Sequence, residues 1–302
     1  MGKIAFVFSG QGAQYSGMGK ELCEAYESAK AVFDMADGVR AGTSAQCFEG
    51  TAEELCQTVN TQPCLFAVDL AAAYALRESG ITPDCVAGFS LGEIAALAFS
   101  GMLSDEEAFK LVCRRGELMD RAAKENPGAM AAVMKISPEK TEEICARFDK
   151  TYPVNYNSPA QTVVAAASEN AEAFCEAVKE AGGRAKLLAV SGAFHSPFMA
   201  DAADGLADYM KGVEFSEPKI PVYSDVTAKP YEGDYKELVK AQVESPVRWQ
   251  TIVENMIADG VDTFIEVGAG KTLTGLIKRI NGNVKAFKTE TPGDIEKIKT
   301  EI

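Results

Sequence analysis

Apolar positions along the chain come in short dense runs broken by glycine-bearing turns. The first run, Ile4-Ala5-Phe6-Val7-Phe8, is rich in β-forming residues and predicts a strand buried on both faces. It empties directly into the turn Ser9-Gly10-Gln11-Gly12. Ala and Leu dominate from Gln62 to Ser79, predicting a buried helix that stops at Gly80. Asp84 to Ala87 reads as a second buried strand and Leu91 to Ser100 as the helix after it. Asp105 to Lys124 reads as an amphipathic helix, with acidic residues in its first turn and a stop before Pro127.

The rhythm then changes. Between Ala129 and Val190 the pattern predicts strand (129–136), helix (138–149), strand (153–157), strand (162–167), helix (170–181) and strand (184–190). This βαββαβ order is the ferredoxin-like arrangement. It predicts a small subdomain over 128–191, inserted into an α/β body built from 1–127 and 192–302. The body resumes with a helix over 198–210, strands at 220–224 and 263–267, and helices over 235–244 and 247–260. The last dozen residues read as a charged, frayed tail.

Charge narrows the function. The 302 residues carry 30 Lys plus Arg against 44 Asp plus Glu, a formal charge of −14, which argues against a nucleic-acid partner. The longest apolar stretch, Cys64 to Leu76, is interrupted by Asp69 and too short to span a bilayer, so no membrane partner is expected. The opening apolar run is too short for a secretory core. Eight scattered cysteines form no C-x-x-C pair and read as reduced thiols of a cytoplasmic protein. With a single histidine, no metal site is expected.

Two glycine motifs fail on spacing. Gly268-Ala269-Gly270-Lys271-Thr272 ends like a phosphate loop, but Ile265 stands where its first glycine belongs; Gly10-Gln11-Gly12 lacks the third glycine of a dinucleotide fingerprint, Tyr15 standing there. Gly88-Phe89-Ser90-Leu91-Gly92 matches G-x-S-x-G between a predicted strand and a predicted helix, the context of a nucleophile elbow. The competing reading makes Ser90 a helix cap. A serine nucleophile needs a base, and the one imidazole is His195, in Ser191-Gly192-Ala193-Phe194-His195-Ser196. The fold expected is therefore an α/β-hydrolase-like core with a parallel sheet and nucleophile elbow, plus the inserted ferredoxin-like subdomain. A whole subdomain separates Ser90 from His195 and a long segment follows the histidine, which disfavours a plain esterase.

At this point the chain resembles the malonyl-CoA:acyl carrier protein transacylases of fatty-acid and polyketide synthesis. The resemblance runs from about Ile4 to Ile280 through motifs in order: Phe8 to Gln14, Thr61-Gln62-Pro63, Gly88 to Glu93, Arg115-Gly116, Gly128-Ala129-Met130, Asn155 to Pro159, Gly192 to Ser196, Gln242 ahead of Ser245 to Trp249, and Glu266 to Gly270. It implies ping-pong transfer through a malonyl ester on Ser90, with His195 as base and the backbone carbonyl of Gln242 orienting it. It further implies an oxyanion hole from the amides of Gln11 and Leu91, with Gln11 also lining the substrate site, and Arg115 gripping the malonyl carboxylate. Arg114, one position away on the same helix, points about 100° elsewhere. Ala193-Phe194-His195 and Leu91 resemble the malonyl-selective type, while Phe89 replaces a histidine frequent in the family. Malonyl-CoA and acyl carrier protein are the implied partners, with no cofactor and a monomeric enzyme. Arg184, Lys186, Arg248, Lys271, Lys278 and Arg279 are candidates for docking an acidic carrier. The alternatives are a serine hydrolase or thioesterase using the same Ser-His pair, and an inactive carrier-binding scaffold.

Overall fold

The computed structural model describes residues 2–190 and 192–302; Ser191 of the histidine loop lies outside them. Among the described residues nine strands form two sheets. The first joins β1 (Lys3–Phe8), β2 (Cys85–Gly88), β7 (Val222–Tyr223), β8 (Val261–Val267) and β9 (Lys285–Thr289) in the order β7-β2-β1-β8-β9. Every pairing in it is parallel. Alternation along β1 sends Phe6 and Phe8 into one apolar cluster and Ala5 and Val7 into another, so the strand is buried on both faces. The Ala- and Leu-rich helix Thr58–Glu78 packs in the first cluster, and Trp249 of the helix Trp249–Ala258 in the second.

The second sheet contains β3 (Gly128–Met134), β4 (Thr151–Ser158), β5 (Gln161–Ala167) and β6 (Arg184–Leu187) in the order β4-β5-β3-β6, all antiparallel. The helices Pro138–Cys145 and Ala171–Glu180 cover one of its faces through Ile144, Phe174 and Val178. The first of these helices ends four residues before the predicted Asp149. The helix gives way there to tighter turns, the Arg147 amide donating to the Ile144 carbonyl at 3.1 Å and the Phe148 amide to the Cys145 carbonyl at 3.0 Å.

Two expectations need correction. The helix predicted from Gln62 starts at Thr58, with Pro63 inside it. Proline ordinarily marks a helix start, but here the Thr61 hydroxyl bonds the Gln57 carbonyl at 3.0 Å and steadies the preceding turn. The C-terminal tail is not frayed. Lys285–Thr289 adds the edge strand β9 beside β8, and Pro292–Glu301 is a helix that buries Ile295 and Ile298. A capping box between Thr291 and Asp294 starts that helix.

Candidate active site

Parallel sheets bind ligands beyond the carboxyl ends of their strands, and the loops after β1 and β2 meet there. Ser90 takes the corner between β2 and the helix Leu91–Phe99, with φ 56° and ψ −110°. Holding a serine there costs about 1–3 kcal/mol, and the neighbouring glycines make it sterically feasible. A Cβ on Gly88 would lie 2.0 Å from the Glu93 amide nitrogen, and one on Gly92 would lie 2.4 Å from the carbonyl oxygens of Phe8 and Ser9. The Ser90 side chain makes no helix-capping bond.

Its Oγ points instead to His195 Nε2 at 2.7 Å. His195 Nδ1 lies 2.9 Å from the Gln242 backbone carbonyl, which can only accept, so Nδ1 carries the proton and Nε2 is free to accept one from Ser90. Burial, reinforced by the nearby Arg115 charge, lowers the His195 pKa to about 4 against the opposing pull of the Gln242 and Ser245 carbonyls. At neutral pH the imidazole is therefore an uncharged base.

Arg115, on the helix Asp105–Glu125, is 1% exposed although charged. Its Nη1 donates to Gln62 Oε1 at 2.9 Å, and its Nη2 donates to Gln242 Oε1 at 2.8 Å and Ser90 Oγ at 3.2 Å. Burial lowers its pKa to about 10, opposed by Glu93 and Asp225, so it stays cationic. Its neighbour Arg114 turns outward to an ion pair with Glu117 at 2.9 Å.

These groups border a cavity of about 280 Å³ whose wall is otherwise mainly apolar, including Met119, Met130, Val163 and Leu276. Gln11, Leu91, Ser90, Arg115 and His195 all line it, while Gln242 stands behind His195. Among the described residues the amides of Gln11 and Leu91 donate to no protein acceptor, whereas the Ser90 amide is taken by Asp225 Oδ2 at 2.8 Å. Phe89 forms part of the wall and packs edge-on against Trp249 at 5.6 Å. The six docking candidates are all exposed, and none makes an ion pair among the described residues. No group of three or more metal-ligating side chains gathers among those residues.

Reading the sequence left several contributors without a role. Gln62, 1% exposed, holds Arg115, and its position before Pro63 on a buried helix was the available signal. Asp225 and Tyr231 offered none, because they reach the site from segments more than 130 residues beyond the elbow.

The chain matches the acyl transferase domain model over residues 5–291. It is 41% identical to the malonyl CoA-acyl carrier protein transacylase of Bacillus subtilis strain 168, over 98% of this chain and 96% of that protein. A crystal structure of the malonyl CoA-acyl carrier protein transacylase from Clostridium perfringens is similar with a TM-score of 0.96 and 37% identity, covering 99% of this chain and 96% of the other. A malonyl-transacylase solved in complex with its holo type II PKS acyl-carrier protein gives a TM-score of 0.95 at 35% identity, over 99% and 100% of the two chains.

Proposed function

From the premise that this chain belongs to the acyl transferase domain family, we propose that it moves the malonyl group of malonyl-CoA to the phosphopantetheine thiol of an acyl carrier protein. Ser90 Oγ attacks the thioester carbonyl while His195 Nε2 takes the hydroxyl proton. The amides of Gln11 and Leu91 hold the developing oxyanion, and the Gln242 carbonyl steadies the proton on Nδ1. As the tetrahedral adduct collapses, the C–S bond breaks, His195 returns its proton to the coenzyme A sulfur, and malonyl-Ser90 remains. The carrier thiol then gives its proton to His195 and attacks the ester carbonyl; the adduct collapses with cleavage of the C–Oγ bond, His195 returns the proton to Ser90 Oγ, and the malonyl thioester of the carrier leaves.

The observation that carries this reading is Arg115, a buried guanidinium 3.2 Å from the nucleophile in a largely apolar cavity. Such a fork suits an acyl group that ends in a carboxylate. A hydrolase of neutral esters has no use for it. The product feeds chain elongation in fatty-acid or polyketide synthesis. The catalytic core comprises 1–127 and 192–302, and the inserted subdomain, 128–191, closes the cavity. The chemistry draws on the chain's own side chains, with no cofactor. No described helix is long and apolar enough to cross a membrane. On this reading the enzyme acts in the cytoplasm as a monomer. The exposed basic residues Arg184, Lys186, Arg248, Lys271, Lys278 and Arg279 receive the acidic carrier.

Intact-protein mass spectrometry after brief exposure to malonyl-CoA tests the reading. An adduct of malonyl mass is expected in the wild type, discharged by holo carrier protein and missing from Ser90→Ala. No adduct would mean an inert scaffold, and discharge by water as fast as by carrier thiol would mean a thioesterase.

A further inference from the structure

Beneath Ser90, on the side away from the cavity, two buried carboxyl groups sit outside the transfer chemistry. Asp225 follows β7, Glu93 lies in the first turn of the helix Leu91–Phe99, and both are 0% exposed. Asp225 Oδ2 accepts from the Ser90 amide at 2.8 Å and from Gln242 Nε2 at 3.2 Å. Gln242 distributes that anchorage. Its Nε2 also donates to the Ser90 carbonyl at 2.6 Å, its Oε1 accepts from Arg115 at 2.8 Å, and its backbone carbonyl faces His195 Nδ1 at 2.9 Å. One carboxyl oxygen thus fixes the strained nucleophile directly, and the base and guanidinium through Gln242.

The other oxygen points to the protonation state. Asp225 Oδ1 is buried and meets no donor among the described residues, while the Glu93 carboxyl packs against the same residue. Glu93 Oε2 accepts the Asp225 amide at 2.7 Å, and Oε1 accepts the Tyr231 hydroxyl. Two carboxyl groups can bond each other only by sharing a proton, and two ionised ones at this depth would repel. The other charged or titratable groups facing the pair are Arg115 and Tyr231. Burial raises both carboxyls above their usual range, in the direction a shared proton requires.

We propose that Asp225 is a positioning residue of the transfer reaction, kept neutral by a proton shared with Glu93, its accepting oxygen holding Ser90 and Gln242 in register. The inference rests on the malonyl-transfer reading and deepens it. The shared proton leaves the pair one negative charge instead of two and takes it off the carboxyl bonded to the Ser90 amide, which lessens the fixed charge opposing the oxyanion forming above it. With the Ser90 amide pinned from below, the amides of Gln11 and Leu91 are left to face the substrate.

Single-turnover acylation by malonyl-CoA across pH, read by intact mass, tests this on the wild type, Asp225→Asn and Asp225→Ala. Asparagine supplies the same pattern with a covalent N–H replacing the shared proton: its oxygen accepts from Ser90 and Gln242 while its amide donates to Glu93. Asp225→Ala should acylate about 10²-fold more slowly at saturating malonyl-CoA, since the reacting groups lose register. Asp225→Asn should recover to within about threefold of wild type, as an exchange that leaves no polar atom unpaired. It should also lack the alkaline decline that follows loss of the shared proton. An Asn variant as slow as Ala would show that the carboxylate charge is required and overturn the proposal. So would an Ala variant that melts earlier but acylates at the wild-type rate with an unaltered pH profile. A wild type with no adduct would overturn the functional reading and this inference together, whereas a labelled wild type matched by Asp225→Ala overturns the inference alone.

Discussion

The two sheets contribute to the cavity in opposite ways. The parallel sheet places the nucleophile, an oxyanion amide and the carboxyl that positions them at the ends of its strands: Ser90 follows β2, Gln11 follows β1, and Asp225 follows β7. The antiparallel sheet delivers wall, with Met130 and Ala132 from β3 and Val163 from β5 facing the same space. Parallel strands all end on one side, so residues distant in sequence converge there, whereas an antiparallel sheet presents a continuous face. Chemistry and acyl fit are thereby separable, and substitutions on the two sheets should divide between kcat and KM.

The largest effect belongs to the base. His195→Ala should lower malonyl transfer at least about 10⁴-fold in kcat, because the chain holds no second histidine to replace it. Stopped assays of carrier malonylation measure this, and a loss under tenfold would break the assignment of His195 as base.

The pH profile sharpens the same side of the comparison. With the His195 pKa lowered to about 4, the imidazole stays neutral, and competent as base, until the pH approaches that value. The rate constant kcat/KM for malonyl-CoA should therefore hold level from pH 7.5 down to about 5.5, well below an ordinary imidazole at about 6.5. Once malonate pairs with Arg115 the nearby positive charge is compensated, so the acid limb of kcat should lie above that of kcat/KM. An acid limb near 6.5 in kcat/KM would contradict the buried, Arg-flanked environment.

On the other sheet the effect should be small and of another kind. Met130→Ala, at a residue 6% exposed on the cavity wall, should raise the KM for malonyl-CoA roughly fivefold and leave kcat within about twofold of wild type. Steady-state kinetics decides it, and a large loss in kcat would erase the proposed division.

Much of this was legible in the sequence because its signals are local. The strand at Ile4 to Phe8, the elbow at Gly88 to Gly92 and the βαββαβ order all follow from spacing and turn chemistry, and all stand in the structure near the predicted positions. The C-terminal helix was misread as a frayed tail: Thr291 and Asp294 spell its capping box, but the run of charges around it masked Ile295 and Ile298. Strand β9 escaped because Lys285 and Lys288 bracket only two apolar residues, Ala286 and Phe287, on a half-buried edge. The underside of the site was illegible for a different reason. Asp225 looks like any loop acid until folding places it 2.8 Å from an amide 135 residues away. Glu93 lies inside a recognisable motif, yet only its contact with Asp225 gives it a part in the site.

The central claim is that a Ser-His pair acts beside a guanidinium chosen for a carboxylate-bearing acyl group. Rapid-quench acylation of wild type and Arg115→Ala by malonyl-CoA and by acetyl-CoA tests it most directly. Loss of a buried charge pair with the acyl carboxylate costs on the order of 2–5 kcal/mol, so Arg115→Ala should lose malonyl acylation by that margin and gain acetyl acylation relative to it. An Arg115→Ala enzyme that keeps the wild-type preference for malonyl would contradict the account.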